Sequence, residues 1–430
     1  MHYFSTNRIS PHVPFRDAVL NGQPDDKGLY FPSEIPKLTK EFLASLKTSS
    51  NEQIAFDVIS PFVSGEIPDE TLFSICAETV NFDFPLVPIT EKISALELFH
   101  GPTLAFKDVG ARFMSRCLRH FSRDKKEKTV VIVATSGDTG GAVAAGFHGV
   151  EGIEVVILYP KGKVSKVQEL QLTTLGGNVT TLELHGNFDD CQALAKQALA
   201  DSDLQSTVHL TSANSINVAR WLPQQFYYFF ALKQWQGEPP VFSVPSGNFG
   251  NLASGILAHI SGLPVQKFIA ACNANDVVPR FLQTTNYEPR PSVATLSNAM
   301  DVGAPSNFVR ILEIFDNNFV DLKSKVEAFS VSDEQTRATM LEVYSTYGYV
   351  LDPHGAVGYR ALNDHLAHHA GQRGIVLETA HPVKFDSVTE IIGDPGEMPS
   401  GVSDLFSKEK VSTEIRCDYA ILKEILLNKI

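Results

Sequence analysis

At 430 residues, 43% of them hydrophobic and 20% charged, the chain has the composition of an ordinary globular protein and length for two or three domains. Its formal net charge of −13 argues against a general affinity for nucleic acid or anionic membranes, while leaving room for an anionic small molecule in a locally basic pocket. The five cysteines (Cys76, Cys117, Cys191, Cys272 and Cys417) stand far apart without a C-x-x-C pair, which reads as a reduced thiol set rather than a disulfide framework or zinc site.

The first residues, MHYFSTNRISPHVPF, lack a basic start followed by an apolar run, so no secretory signal is read. No apolar run approaches the roughly 20 residues that span a bilayer. The expectation is a soluble cytoplasmic protein. Residues 1–95 alternate polar loops with apolar clusters such as LYFPSEIPKL and IAFDVISPFVSGEIP, predicting an N-terminal α+β region without a repeated unit. Next, in ELFHGPTLAFKDVGARFM at 97–114, a Gly-Pro-Thr break leads into a helix whose first turn carries Lys107 behind Leu104, Ala105 and Phe106. A helix N-terminus repels cations, because its unpaired N–H groups carry roughly half a positive charge. Either the side chain snorkels to water, or its amine is meant to deprotonate easily and act as a nucleophile, as a Schiff-base lysine must.

From residue 129 onward, β-branched runs alternate with helices. TVVIVA (129–134), IEVVILY (153–159), NVTTLEL, TVHL, PVFSVP (240–245), KFIAAC (267–272) and GIVLETA (374–380) read as strands. GAVAAGF, SKVQELQLTTLGG and DDCQALAKQALA read as helices between them, and DYAILKEILLNK as a closing amphipathic helix. Such alternation predicts an α/β fold with two open, mostly parallel twisted sheets flanked by helices. The expected division is an N-terminal domain at 1–95, a smaller α/β domain at 96–225 and a larger one at 226–430. In open α/β sheets, ligands sit at the carboxyl ends of strands beside helix N-termini.

Four polar loops fall at those ends. TSGDTGGAV (135–143) offers backbone N–H groups and hydroxyls to an anion, or is a plain turn in which Asp138 caps a helix. SVPSGNFGNLASG (243–255) suits a permanently held phosphate, with Gly247 and Gly250 allowing close approach and Ser246, Asn248 and Asn251 adding donors; the alternative is a turn required for helix–sheet packing. In TSANSINVARW (211–221), Asn214, Ser215 and Asn217 precede Arg220, a side chain suited to bidentate phosphate or carboxylate recognition, or the stretch is a helix cap with an exposed Arg. LETAHPVKF (377–385) ends a strand at Thr379, whose hydroxyl is either a cap or a partner for a heterocyclic nitrogen. His365, His368 and His369 include an i, i+4 pair, but Leu366 stands where a zinc protease has its glutamate, so a solvated helix face is expected.

An aldehyde-reactive amine, phosphate-type loops and a hydroxyl near a third strand together suit pyridoxal phosphate. With GLYFP, ELFHGPTLAFKD, ATSGDTG, ILYPKGKVS, SANSIN, VPSGNFG, ATLSNAMDV and TAHPVKF in this order, the chain resembles the threonine synthase family, of the fold-type II pyridoxal-phosphate superfamily, over nearly its whole length. The resemblance implies conversion of O-phospho-L-homoserine and water to L-threonine and phosphate by γ-elimination and β-addition of water. It implies Lys107 as the Schiff-base lysine and Gly247, Asn248, Phe249, Gly250 and Asn251 as the cofactor-phosphate loop. Thr379 would face the pyridine nitrogen, and Asp138 would lie beside the phenolic oxygen, where many members of the superfamily carry Asn. Thr135, Ser136, Gly137 and Thr139 would clasp the substrate carboxylate; Asn214, Ser215 and Arg220 would take the substrate phosphate. Lys161 and Lys163 either assist there or form a solvated turn. Two other outcomes follow from the same residues: a phospho-lyase releasing 2-oxobutyrate, or a non-catalytic protein binding a phosphorylated metabolite. The resemblance is compatible with a monomer or a homodimer, and no metal, nucleic-acid or membrane partner is expected.

Overall fold

Branched apolar runs become the inner strands of two sheets in the computed structural model, which describes residues 1–63, 65–123, 128–393 and 396–429. The larger sheet has the order Val326–Ser330, Lys267–Cys272, Val241–Pro245, Gly374–Glu378, Ile93–Glu97, Leu86–Pro88; all pair in parallel except the last, an antiparallel edge. The smaller sheet is parallel throughout, in the order Thr413–Arg416, Val179–His185, Ile153–Pro160, Thr129–Ala134, His209–Ser212. A third, antiparallel sheet joins Val13–Pro14, His2–Ser5 and Tyr30–Pro32. The expected open α/β class with an N-terminal α+β region is what the chain forms.

Strand order locates the functional loops. In the smaller sheet the chain steps outward from Thr129–Ala134 through Ile153–Pro160 to Val179–His185, then returns to place His209–Ser212 on the other side. In the larger sheet it steps outward from Val241–Pro245 and returns to place Gly374–Glu378 on the opposite flank. Each sheet thus has one topological switch point, where neighbouring loops diverge and leave a crevice. The loops after residues 134, 212, 245 and 378 are the four that flank these two points.

The helices explain themselves locally. Ser165 and Gln168 close a capping box on Lys166–Thr173, and Asn187 with Asp190 does the same for Phe188–Ala200. The tail behaves differently from its contiguous assignment to the second half. Thr413–Arg416 pairs with Val179–His185 at the edge of the smaller sheet, and the closing helix Tyr419–Leu427 buries Leu422 and Leu426 in the same core as Cys191 and Leu194. Short and highly charged, TEIR carries no run of apolar residues to announce a strand, and its pairing is decided by the exposed edge it meets.

Candidate active site

Lys107 is the first residue of the helix Lys107–Ser122, as its position after the Gly-Pro-Thr break predicts. The approach to it is held from three sides. Phe106 N–H donates to the Thr379 carbonyl at 2.9 Å, and His381 N–H to the Leu104 carbonyl at 3.0 Å, closing an antiparallel bridge between Ala105 and Ala380. The Tyr227 hydroxyl donates to the Phe106 carbonyl. Leu104 adopts a left-handed backbone with φ of 57°, a strained state for a branched side chain that the surrounding bonds must impose. Burial, the largest influence, lowers the proton affinity of the Lys107 amine below an ordinary lysine's; Asp138 opposes this, Lys384 and Arg220 reinforce it, and Asp352 opposes it. The amine is therefore not a snorkelling surface cation. Its side chain is 17% exposed, and its Nζ lies 4.0 Å from Asp138 Oδ2.

Beyond Val241–Pro245, the loop turns into the helix Gly250–Ile260 through Phe249, whose φ is 64°. The N–H groups of Gly247, Asn248, Phe249, Gly250 and Asn251 have no acceptor among the described residues. Five unpaired donors at one helix N-terminus form a cup for an anion. The loop's side chains do a different job from the expected one. Ser246 Oγ donates to the Val244 carbonyl and Asn251 Nδ2 to the Pro245 carbonyl, both at 2.7 Å. Asn248 Nδ2 donates to Ser215 Oγ at 2.9 Å, while its Oδ1 accepts from Ser306 N–H and Oγ. These groups brace the cup, and the main chain lines it. Gly247 is required because a Cβ there would lie 2.6 Å from Met300 Cα.

A second cup follows Thr129–Ala134. Thr135 Oγ1 accepts from Gly137 and Gly140 N–H at 3.0 and 2.8 Å, so this hydroxyl shapes the loop from within. Gly137, with φ of 139°, stands where a Cβ would meet Gln168 at 2.4 Å. The hydroxyls of Ser136 and Thr139 and the N–H groups of Ser136, Asp138 and Thr139 have no partner among the described residues. Asp138 opens the helix Asp138–Phe147. Its carboxylate accepts from Lys384 Nζ at 2.7 Å and Gln168 Nε2 at 2.9 Å. Burial alone would raise its affinity for a proton, but Lys384 and Lys107, with these hydrogen bonds, hold it well below the usual carboxylate range.

The third loop is half framework and half open. Asn214 Nδ2 donates to the Ala134 carbonyl at 3.3 Å, and Asn217 caps the short helix Val218–Trp221 while donating to the Val19 carbonyl. Ser215 Oγ accepts from Asn248 and Asn307 amides at 2.9 and 3.0 Å, which leaves its own O–H to donate elsewhere. Arg220 is buried, not exposed; Nη1 donates to the Ala213 carbonyl and Nε has no partner among the described residues. Burial lowers its proton affinity to about 10. Thr379, one residue past Gly374–Glu378, is buried with a hydroxyl that has no partner among the described residues.

Several residues of this neighbourhood escape a reading of the sequence. Lys384 is fully buried, joining Asp138 to the Thr103 carbonyl at 2.8 Å. Arg310 is fully buried over the Trp221 ring and donates to carbonyls of Tyr30, Ser215 and Ile216, tying the N-terminal region to the Ser215 loop. Lys161 pairs with Glu414 and, like Lys163, is exposed, which favours the solvated turn. His365 departs from the solvated face expected of it: it is buried, with Nδ1 2.8 Å from Glu327 and Nε2 2.9 Å from Gln372. With His369 these residues could reach one metal ion, but both His365 nitrogens are already engaged and Lys267 Nζ lies 3.2 Å from Glu327, so the cluster is a hydrogen-bonded ion pair.

Three family models match the chain: the threonine synthase N terminus over residues 2–80, pyridoxal-phosphate dependent enzymes over 90–378 and the threonine synthase C-terminal region over 355–426. A threonine synthase of Haemophilus influenzae is 44% identical over 432 residues, covering 99% of this chain and 100% of the relative. The chain belongs to the threonine synthase family. A threonine synthase of Escherichia coli is 42% identical over full length, and its crystal structure superposes with a TM-score of 0.93 over 100% of both chains. A pyridoxal-phosphate-bound threonine synthase from Brucella melitensis superposes with a TM-score of 0.92 at 35% identity, covering 100% of this chain and 99% of that one. Membership makes the chain a fold-type II, pyridoxal-phosphate-dependent lyase with threonine synthase function. No helix of the described residues is long and apolar enough to cross a membrane.

Proposed function

We propose that the chain converts O-phospho-L-homoserine and water to L-threonine and phosphate, with Lys107 as the residue that carries the cofactor. The observation that bears most weight is the pairing of a largely enclosed amine, whose proton affinity burial lowers, with two cups of unpaired N–H groups, one at each sheet's switch point. The donor set fits pyridoxal phosphate: an amine for its aldehyde, five N–H groups at 247–251 for its phosphate, and the unpartnered Thr379 hydroxyl for its ring nitrogen. The hydroxyls of Ser136 and Thr139 and the N–H groups of Ser136, Asp138 and Thr139 are then left for a carboxylate, with Thr135 and Gly137 shaping their loop. Ser215 and Arg220, beside Asn214, supply an O–H and a cation for a second phosphate.

When bound, the cofactor would supply an electron sink for the negative charge left at the amino-bearing α-carbon and, later, at the β-carbon beside it. The chain's own groups do the rest. Lys107, whose lowered proton affinity suits proton exchange, would take the proton from the substrate's α-carbon and then one from the β-carbon, whose electron pair forms the Cβ–Cγ double bond as the Cγ–O bond to phosphate breaks, and would return a proton to the γ-carbon before water adds at the β-carbon. Arg220 faces charge growing on the departing phosphate oxygen. The Ser136–Thr139 cup fixes the carboxylate, which orients the proton to be removed. Closure of the smaller α/β unit, which the tail from Thr413 to Leu427 joins, onto the larger, with the other divisions near residues 95 and 225, would keep water out until it is needed at the β-carbon.

Mixing the purified protein with O-phospho-L-homoserine should give threonine and phosphate in equal amounts. Production of 2-oxobutyrate instead would make the chain a phospho-lyase, and no turnover would make it a binding protein. We further place it in the cytoplasm, as a monomer or homodimer acting on a small molecule.

A further inference from the structure

Among charged groups around Lys107, Lys384 is the one without an obvious task. Its side chain has no exposure, and it follows the Thr379 loop in the short turn Pro382–Lys384. Among the described residues its ammonium bonds to Asp138 Oδ1 at 2.7 Å and to the Thr103 carbonyl at 2.8 Å, four residues before Lys107. Gln171 Nε2 holds the same carbonyl at 2.9 Å, and Thr103 N–H reaches Asp108 at 2.9 Å. Lys384 therefore grips both the carboxylate facing Lys107 and the loop that delivers Lys107.

The charges facing Lys107 are Asp138 from the helix Asp138–Phe147, Lys384, Arg220 from Val218–Trp221 and Asp352 ahead of Pro353–His368. Asp352 is itself bound to His354 and caps its own helix. Asp138 is thus the carboxylate most able to draw Lys107 into an ion pair. It is 2.7 Å from Lys384 and 4.0 Å from Lys107.

We propose that Lys384 is a positioning residue for Lys107: by occupying Asp138 as a buried counter-ion, it keeps that carboxylate from capturing the Lys107 ammonium and leaves the amine free to exchange protons. The inference rests on the reading of Lys107 as the working amine. It explains why a buried site holds two lysines around one carboxylate. A lone carboxylate beside Lys107 would fix a proton on it, since an opposite charge within about 4–6 Å favours the charged form by one to three pH units. Lys384 cancels that pull and adds repulsion of its own.

The test uses cofactor-free, full-length protein and the variants Lys384→Met and Asp138→Asn/Lys384→Met. Competitive acetylation across pH, with Lys107 quantified by peptide mass spectrometry, gives the midpoint at which this amine loses its proton. In Lys384→Met the midpoint should rise by about one pH unit or more, because Asp138 is released to Lys107 and a like charge is gone. Removing Asp138 as well should return it close to the wild-type value. A folded Lys384→Met protein with an unchanged or lower midpoint overturns the proposal, as does a double variant that stays as high as the single one. If Lys384→Met does not fold, as judged by circular dichroism, Lys384→Gln takes its place, since its amide can keep the Thr103 bond without the charge. A cofactor found on another lysine of the wild-type protein would defeat the functional reading alone, because the acetylation midpoint is measured without cofactor.

Discussion

Replacing Gly247 with alanine tests the phosphate cup by steric means alone. The added Cβ would sit 2.6 Å from Met300 Cα and 3.0 Å from the Ala299 carbonyl oxygen. Both obstacles are main chain, so no rotamer change relieves them. The opposing segment is anchored: Asn273 Nδ2 donates to Thr295, Ser297 and Asp301, and Ala299 N–H reaches His354 Nε2 at 3.2 Å. The 246–251 loop is the side that yields, carrying its unpaired N–H groups away from a bound phosphate. Overpacking of this kind costs about 1–3 kcal/mol. Expressed as lost affinity, that is roughly a 5- to 150-fold rise in the Kd for pyridoxal phosphate. Absorbance titration of cofactor-free protein measures it. Gly401→Ala is the control, since it lies outside the loop, in the helix Ser400–Ser403, and its Cβ would meet nothing within 4 Å, so affinity should stay nearly unchanged. Wild-type affinity in Gly247→Ala would refute the idea that this loop holds the phosphate in the conformation described.

Thr379→Val keeps the shape of a side chain whose hydroxyl has no partner among the described residues, so the melting temperature of the cofactor-free form should not move. Turnover should fall about 5- to 150-fold, the range for one lost hydrogen bond of roughly 1–3 kcal/mol; an active variant would remove Thr379 from the site. Asp26 gives a pH signature far from the active site. Burial opposes its ionisation, but Ser5 Oγ and the N–H groups of Ser10, Gly28 and Ile9 outweigh that and hold its proton affinity down to about 2. Because the folded value is depressed, the stabilisation is present above the unfolded value of about 4 and is lost as pH falls towards 2. After solvent screening it amounts to no more than about 1 kcal/mol. Urea melts at pH 5 and pH 2.5 should show a smaller acid loss in Asp26→Asn than in wild type; equal losses would contradict the assignment.

Much of the candidate site's layout is legible in the sequence because the local pattern and the local backbone coincide. A β-branched run, then glycine and hydroxyl residues, then a helix, marks each cup, and the apolar neighbours of Lys107 mark a buried amine. The misplaced details are those that depend on distant partners. Lys384 follows a proline in a polar loop and looks like a solvated lysine; only the arrival of Thr103 and Asp138 buries it. Arg310, in the run FVRIL, resembles the polar edge of an amphipathic helix until carbonyls from residues 30, 215 and 216 surround it. The same limit applies to His365, whose partner Glu327 lies on a neighbouring strand. The Asn and Ser side chains of the 246–251 loop look like donors to a ligand, because residue type reveals capacity for hydrogen bonding but not its direction.

The central claim is that the amine at position 107 carries the cofactor. Borohydride reduction of the pyridoxal-phosphate-loaded protein, followed by digestion and mass spectrometry, should place the pyridoxyl group on the peptide containing Lys107 and abolish the visible absorption band. A label on Lys384 or any other lysine, or no stable label at all, would contradict it.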